Sequence, residues 1–226
     1  MSKVIEIKNL SKTYKTKTRE VQALRDVSVD FESGKFYAIM GHSGSGKSTL
    51  ISIIGLLESF ETGEYKINEK DVRGLKNHEE AELRRDSIGF IFQEFFLDEH
   101  LKAYENVIMP MLINERIKKE DRKKRAIELL DLVDLSERVE HFPKEMSGGE
   151  KQRVAIARAL ANDPKVILAD EPTGDLDEEN EEKIFKILKE LSQEGKCVIV
   201  VSHSNEVKKY ADEILTIEKG KLSKEK

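Results

Sequence analysis

The run GHSGSGKST, from Gly41 to Thr49, combines three glycines with a lysine and four hydroxyl residues at fixed spacing. It fits G-x-x-x-x-G-K-[ST], a pattern in which backbone amides surround phosphate groups. Gly41, Gly44 and Gly46 allow conformations that a Cβ would forbid, and His42, Ser43 and Ser45 carry further amides of the cradle. Lys47 is suited to neutralise β and γ oxygens and Ser48 to coordinate magnesium, while Thr49 leads into a helix whose positive end faces the anion. A second group closes the run VILADE, where Asp170 and Glu171 are adjacent. Two neighbouring carboxylates can divide two tasks: Asp170 holding magnesium, directly or through water, and Glu171 deprotonating the attacking water. General-base help of that kind contributes about 10²- to 10⁴-fold. His203 ends the apolar run CVIVVSH, at a strand end of the sort where open α/β sheets bind ligands, and is expected to contact a γ-phosphate. The chemistry of these three groups together is nucleotide hydrolysis.

Such groups need a rigid frame. FYAIM precedes the glycine run and reads as a short buried strand, and LISIIGLL follows it as a buried helix, the strand-loop-helix context that a phosphate loop requires. Further apolar strands are expected at SIGFIFQ, KVILAD, CVIVVSH and EILTIEKG, with amphipathic segments between several of them, which predicts a mainly parallel sheet. Residues 4–10 and 27–31 alternate apolar and polar, predicting antiparallel edge strands. From 94 to 162 the chain turns helical and charged, and IKKEDRKKRAIELLDLVDL has helical apolar spacing in its second half. This is read as an inserted helical subdomain. Ile184, Ile187, Leu188 and Leu191 fall at i, i+3, i+4 and i+7, the stripe of a surface helix lying on the sheet. The terminal KLSKEK is expected to fray. The fold expected is α/β, one domain over residues 1–226. Its nucleotide-binding core (1–93 and 163–226) has an antiparallel β part, and 94–162 form the helical subdomain.

Composition narrows the partners. Charged residues make up 37% of the chain and hydrophobic ones 38%, and the longest aliphatic runs are too short to span a bilayer. The start, MSKVIEIKNL, lacks the pattern of a secretory signal, so a cytoplasmic location is expected. With a formal net charge of -5 there is no global electrostatic reason to expect nucleic acid as a partner. The single cysteine, Cys197, lies in CVIVV and is expected to pack as a small hydrophobe.

MSGGEKQRVAIARAL followed by VILADEPTGDLD resembles the signature, Walker B and D-loop block of ABC-type ATPases, and the resemblance spans nearly the whole chain. It implies a P-loop NTPase fold, an ATPase activity, and ATP with Mg2+ as its ligands. Tyr14 stands where an aromatic residue of the family stacks on adenine; packing as an edge-strand tyrosine is the alternative. Gln93 matches the Q-loop glutamine, which in the family reaches magnesium and water and joins core to helical lobe. Ser147, Gly148, Gly149 and Glu150 match the signature that binds a nucleotide held by another copy, and Asp177 matches the D-loop aspartate at that interface. Ser147 with Glu150 also forms a capping box at a helix start, exposing amides at a positive end. The chain departs from the common LSGGQ in having Met146 and Glu150, and Glu150 is expected to serve the cap and the neighbouring copy rather than to contact phosphate. VSHS has Ser204 where many relatives have an aspartate.

Within that family the chain most resembles the branch serving lipoprotein release, macrolide export, antimicrobial-peptide resistance and cell division, which pairs with FtsX-like permeases. The resemblance implies a subunit that dimerises over two ATP and drives such a permease from the inner face of the cell membrane, exporting a peptide, lipid-linked or drug-like substrate. The alternative is a mechanotransmitting complex that controls an extracytoplasmic enzyme or sensor without transport. Phe95, Phe96 and Leu97 lie where relatives receive a short helix of the membrane partner, or belong to the core of the helical lobe.

Overall fold

Among the described residues, ten strands form two sheets, and six α-helices include ones on both sides of the larger sheet. The computed structural model describes residues 2–15 and 20–225. Strands β3 (Phe36–Met40), β6 (Ile88–Ile91), β7 (Val166–Asp170), β8 (Cys197–Val201) and β9 (Glu213–Glu218) are parallel, and β10 (Lys221–Lys224) closes one edge antiparallel to β9. Their order is β10-β9-β3-β8-β7-β6. Every residue of β3 and β8 is buried, as befits parallel strands covered on both faces.

Alternation within these strands feeds two cores. Phe36, Ala38, Ile167, Ala169, Val198 and Val200 face helix α6 (Glu178–Gln193) and the helical insert, and Ile184, Leu188 and Leu191 of α6 are fully or almost fully buried there. Tyr37, Ile39, Leu168, Cys197 and Ile199 face helix α1 (Lys47–Ile54) and the second sheet. Burying these large aliphatic side chains stabilises each by roughly 1.5–3 kcal/mol. Cys197 packs as a small hydrophobe, and burial pushes its thiol well above its ordinary pKa.

The second sheet is antiparallel, in the order β2 (Glu20–Glu32), β1 (Lys3–Lys15), β4 (Thr62–Ile67), β5 (Lys70–Asp71). The edge-strand expectation is corrected for β1, which pairs with β2 on one side and β4 on the other. Helix α2 (Asn77–Ser87) leads into β6. The helical insert contains α3 (Ala103–Ile108), α4 (Lys119–Leu132) and α5 (Gly148–Ala159), which pack on one another around Ala103, Val107, Ala126, Leu130 and Val154. The fraying expected of KLSKEK is corrected for Lys221–Lys224, which form a strand, while Lys226 lies outside the described residues. Lys219 and Gly220 both adopt positive φ, giving the tight turn that twisted hairpins favour, and β10 then pairs with β9 from Lys221 to Lys224. Among the described residues no helix is long and apolar enough to cross a membrane.

Candidate functional site

The loop after β3 is shaped by contacts that a side chain would block. Gly46 caps α1 at φ 114°, and a Cβ there would lie 2.5 Å from the Ala23 carbonyl oxygen. The Lys47 Nζ donates to the carbonyls of Gly41 at 2.7 Å and His42 at 3.1 Å, drawing the ammonium across the loop. Around it lies a cleft of about 910 Å³, lined by the whole run Gly41–Thr49 together with Tyr14, Gln93, Glu171 and His203. An adjoining recess brings Ser48, Gln93, Asp170, Glu171 and Asp175 together. Residues from β1, the phosphate loop and the ends of β6, β7 and β8 thus converge at the carboxyl end of the parallel strands.

Asp170 and Glu171 share a strand end and differ in surroundings. The Asp170 Oδ1 is buried and has no hydrogen-bond partner. Burial raises its carboxyl above the usual range, the Glu171 charge adds to this, and Lys47 opposes it. Glu171 has φ +48°, a left-handed conformation that costs a non-glycine residue about 1–3 kcal/mol. It is held by its N–H to the Val201 carbonyl at 2.9 Å. Its carboxylate accepts the His203 N–H at 3.2 Å and lies 2.7 Å from His203 Nδ1. The histidine expected at the phosphate therefore also grips the carboxylate, a pairing that residue types alone did not foretell.

Ser204 stabilises that strand end by accepting the Glu206 N–H, while its own N–H donates to the Ser202 hydroxyl. The residues present fit a magnesium ion: a serine hydroxyl, an amide oxygen and one carboxylate form an all-oxygen set, and a buried unpartnered carboxylate oxygen is what a hard cation satisfies.

Ser147, Gly148, Gly149, Glu150 and Asp177 are not brought into this cleft. They form a separate surface. The Glu150 carboxylate accepts the Ser147 N–H at 2.8 Å while the Ser147 hydroxyl accepts the Glu150 N–H, completing the capping box at the start of α5. Arg138 meets the other Glu150 oxygen at 2.8 Å. Asp177 caps α6 through Asn180, and Gly149 lies so close to the Asn180 amide that a Cβ would collide with it. Tyr14 is 40% exposed at the rim, with the Lys12 ammonium 5.2 Å from its ring centre. Phe96 is exposed, whereas Leu97 packs on the core of the insert.

Several contributors had no motif to announce them. Gln22, Ala23 and Arg25 of β2 and Lys219–Gly220 of the β9–β10 turn line the cleft. Gly220 donates its N–H to the Ser45 carbonyl and accepts the Arg25 N–H. The dipeptide Lys-Gly between two alternating runs was the available signal for that turn. Asp175 accepts from the Gln93 amide at 3.4 Å. Gln152 and Arg158 of α5 donate to backbone carbonyls on either side of Gln93.

A cassette of this design belongs to a class of nucleotide-driven ATPases, and the relatives say which. Residues 24–174 match the sequence model of the ABC transporter family. The chain is 46% identical over 219 residues to the ABC transporter ATP-binding protein YvrO of Bacillus subtilis, covering 97% of this chain and 95% of YvrO. Against the ABC transporter ATP-binding protein MJ0796 of Methanocaldococcus jannaschii identity is 45% over 226 residues, covering 98% and 96% of the two chains. The macrolide export ATP-binding/permease protein MacB of Chlorobaculum tepidum is 44% identical over 96% of this chain, which matches 33% of MacB. A dimeric structure of MJ0796 superposes with a TM-score of 0.89 over 98% of both chains, at 44% identity. A dimeric post-hydrolysis state of MJ0796 bound to ADP and Pi gives the same TM-score. This chain belongs to the ABC transporter family, as an ATP-binding ATPase cassette that uses magnesium.

Proposed function

We propose that two copies of this chain close over two ATP molecules, hydrolyse them, and pass the motion to an FtsX-like permease that exports a peptide, lipid-linked or drug-like substrate. The observation that carries the catalytic part is the meeting of the phosphate loop with Glu171 and His203 in one cleft and with Asp170 in the recess that adjoins it. In this reading the loop amides and Lys47 hold the triphosphate, and Tyr14 stacks on adenine. Glu171 takes a proton from the attacking water while His203 fixes its carboxylate. Ser48, Asp170 and Gln93 would hold magnesium, which when bound neutralises phosphate oxygens and supplies Lewis acidity. Ser147–Glu150 of the second copy would meet the γ-phosphate, with Asp177 beside them. The match to MacB, whose name joins an ATP-binding part to a permease, supports a membrane partner on the cytoplasmic face.

Glu171→Gln tests the assignment. It should leave ATP affinity unchanged, lower turnover about 10²-fold or more, and trap an ATP-dependent dimer detectable by light scattering. Turnover equal to that of the unmodified chain would sink it.

A further inference from the structure

Helix α5 reaches the backbone beside both Gln93 and Glu171 through the side chain of Gln152. Gln152 has no exposed surface. Its Nε2 donates to the Phe92 carbonyl at 3.1 Å and to the Pro172 carbonyl at 2.7 Å. Phe92 immediately precedes Gln93, and Pro172 immediately follows Glu171. Two carbonyl acceptors determine which way the amide faces, since the reversed amide would set oxygen against oxygen at both. The Gln152 Oε1 is buried without a partner. The side chain thus leaves an acceptor unsatisfied while both donor hydrogens are committed, which is an unusual arrangement for a buried amide.

We infer that Gln152 is a positioning residue that ties the backbone beside Gln93 and beside Glu171 to α5, so that displacement of that helix reaches both side chains at once. The inference rests on the roles proposed above for Gln93 and Glu171. Neighbouring contacts limit the alternatives. Arg158, one and a half turns further along α5, donates to the Phe95 and Phe96 carbonyls, so the segment after Gln93 is bound to the same helix. The segment after Glu171 is pinned elsewhere, by the Thr173 hydroxyl donating to Glu181 of α6 at 3.0 Å. Gln152 is therefore the side chain through which one helix holds both segments. Its place on α5 lies beyond Ser147–Glu150, so an event at that capped end has a short rigid path to the two strand ends. Glu171, in its left-handed conformation, depends on such restraints to keep its carboxylate facing His203.

The test compares Gln152→Met, which keeps length and volume but removes both donors, with the unmodified chain. Turnover should fall about tenfold or more, while the KM for ATP changes by less than about twofold. Turnover within about twofold of the parent in a folded Gln152→Met chain overturns the inference. So does a loss of turnover that vanishes on cooling below the melting transition of the variant, because that marks lost stability rather than lost positioning. If Gln152→Met does not fold, Gln152→Glu decides the matter. Its carboxyl donates one hydrogen only when protonated, so activity relative to the parent should rise as pH falls, and a constant ratio overturns the inference. Glu171→Gln is assayed alongside. Retained turnover there sinks the catalytic reading itself, whereas a silent Gln152 with an inactive Glu171→Gln removes only the positioning role.

Discussion

Asp170 holds a carboxylate where the protein alone does little to favour one. Because burial and the Glu171 charge raise its folded pKa, the native state binds that proton more tightly than the unfolded chain does. The penalty is therefore present at neutral pH and disappears as pH falls through the raised value. Asp170→Asn should raise the melting temperature of the magnesium-free chain at neutral pH while abolishing turnover; an unchanged or lower melting temperature would contradict this account. Lys47→Ala should fail earlier in the cycle, at nucleotide binding. The charge opposite the phosphates is gone, and equilibrium titration with a fluorescent ATP analogue should show the affinity loss.

Helix α5 shows how a single element can serve a local and a distant purpose. Burial works against the Glu150 carboxylate, but Arg138 and the Ser147 N–H outweigh it and hold its pKa below the ordinary value. Stability from this depressed group is fully present above the unfolded carboxyl pKa and is lost as pH falls through the folded one. Urea titrations across the acid range should show that loss in the parent and a smaller one in Glu150→Gln. Ser147→Ala should cost about 1 kcal/mol of unfolding free energy in the same titrations, the usual value of a lost N-cap. The capping box was legible because Ser-x-x-Glu before an apolar run has one local meaning. Gln152 was not, since a glutamine inside a helix looks the same whether it faces solvent or two buried carbonyls. Helix α2 and strands β4 and β5 were missed for a related reason: their short, charged stretches have little periodicity, and neighbouring strands and turns decide their conformation.

Taken as a body, the molecule reads from its sequence wherever apolar runs are continuous. FYAIM, VILAD and CVIVV became central parallel strands, and the α6 stripe from Ile184 to Leu191 became its buried face. The edge of the large sheet was harder to foresee, because KLSKEK has no apolar run and its residues Lys221–Lys224 gain their order from pairing with β9. Exposure now isolates Phe96 as the outward part of the run after Gln93. Phe96→Asp should spare nucleotide binding and basal hydrolysis, yet uncouple hydrolysis from the permease in reconstituted vesicles. Unchanged coupling would count against docking at that place.

The turn at Lys219–Gly220 is bonded both to the phosphate loop and to β2. The partners of this contact leave the ribosome at different times, Arg25 and Ser45 first and Gly220 well after them. A nascent chain therefore carries its phosphate-binding motif long before it carries the wall that braces it. Nucleotide capture should begin only after the β9–β10 hairpin has emerged, so that incomplete chains do not sequester ATP during translation.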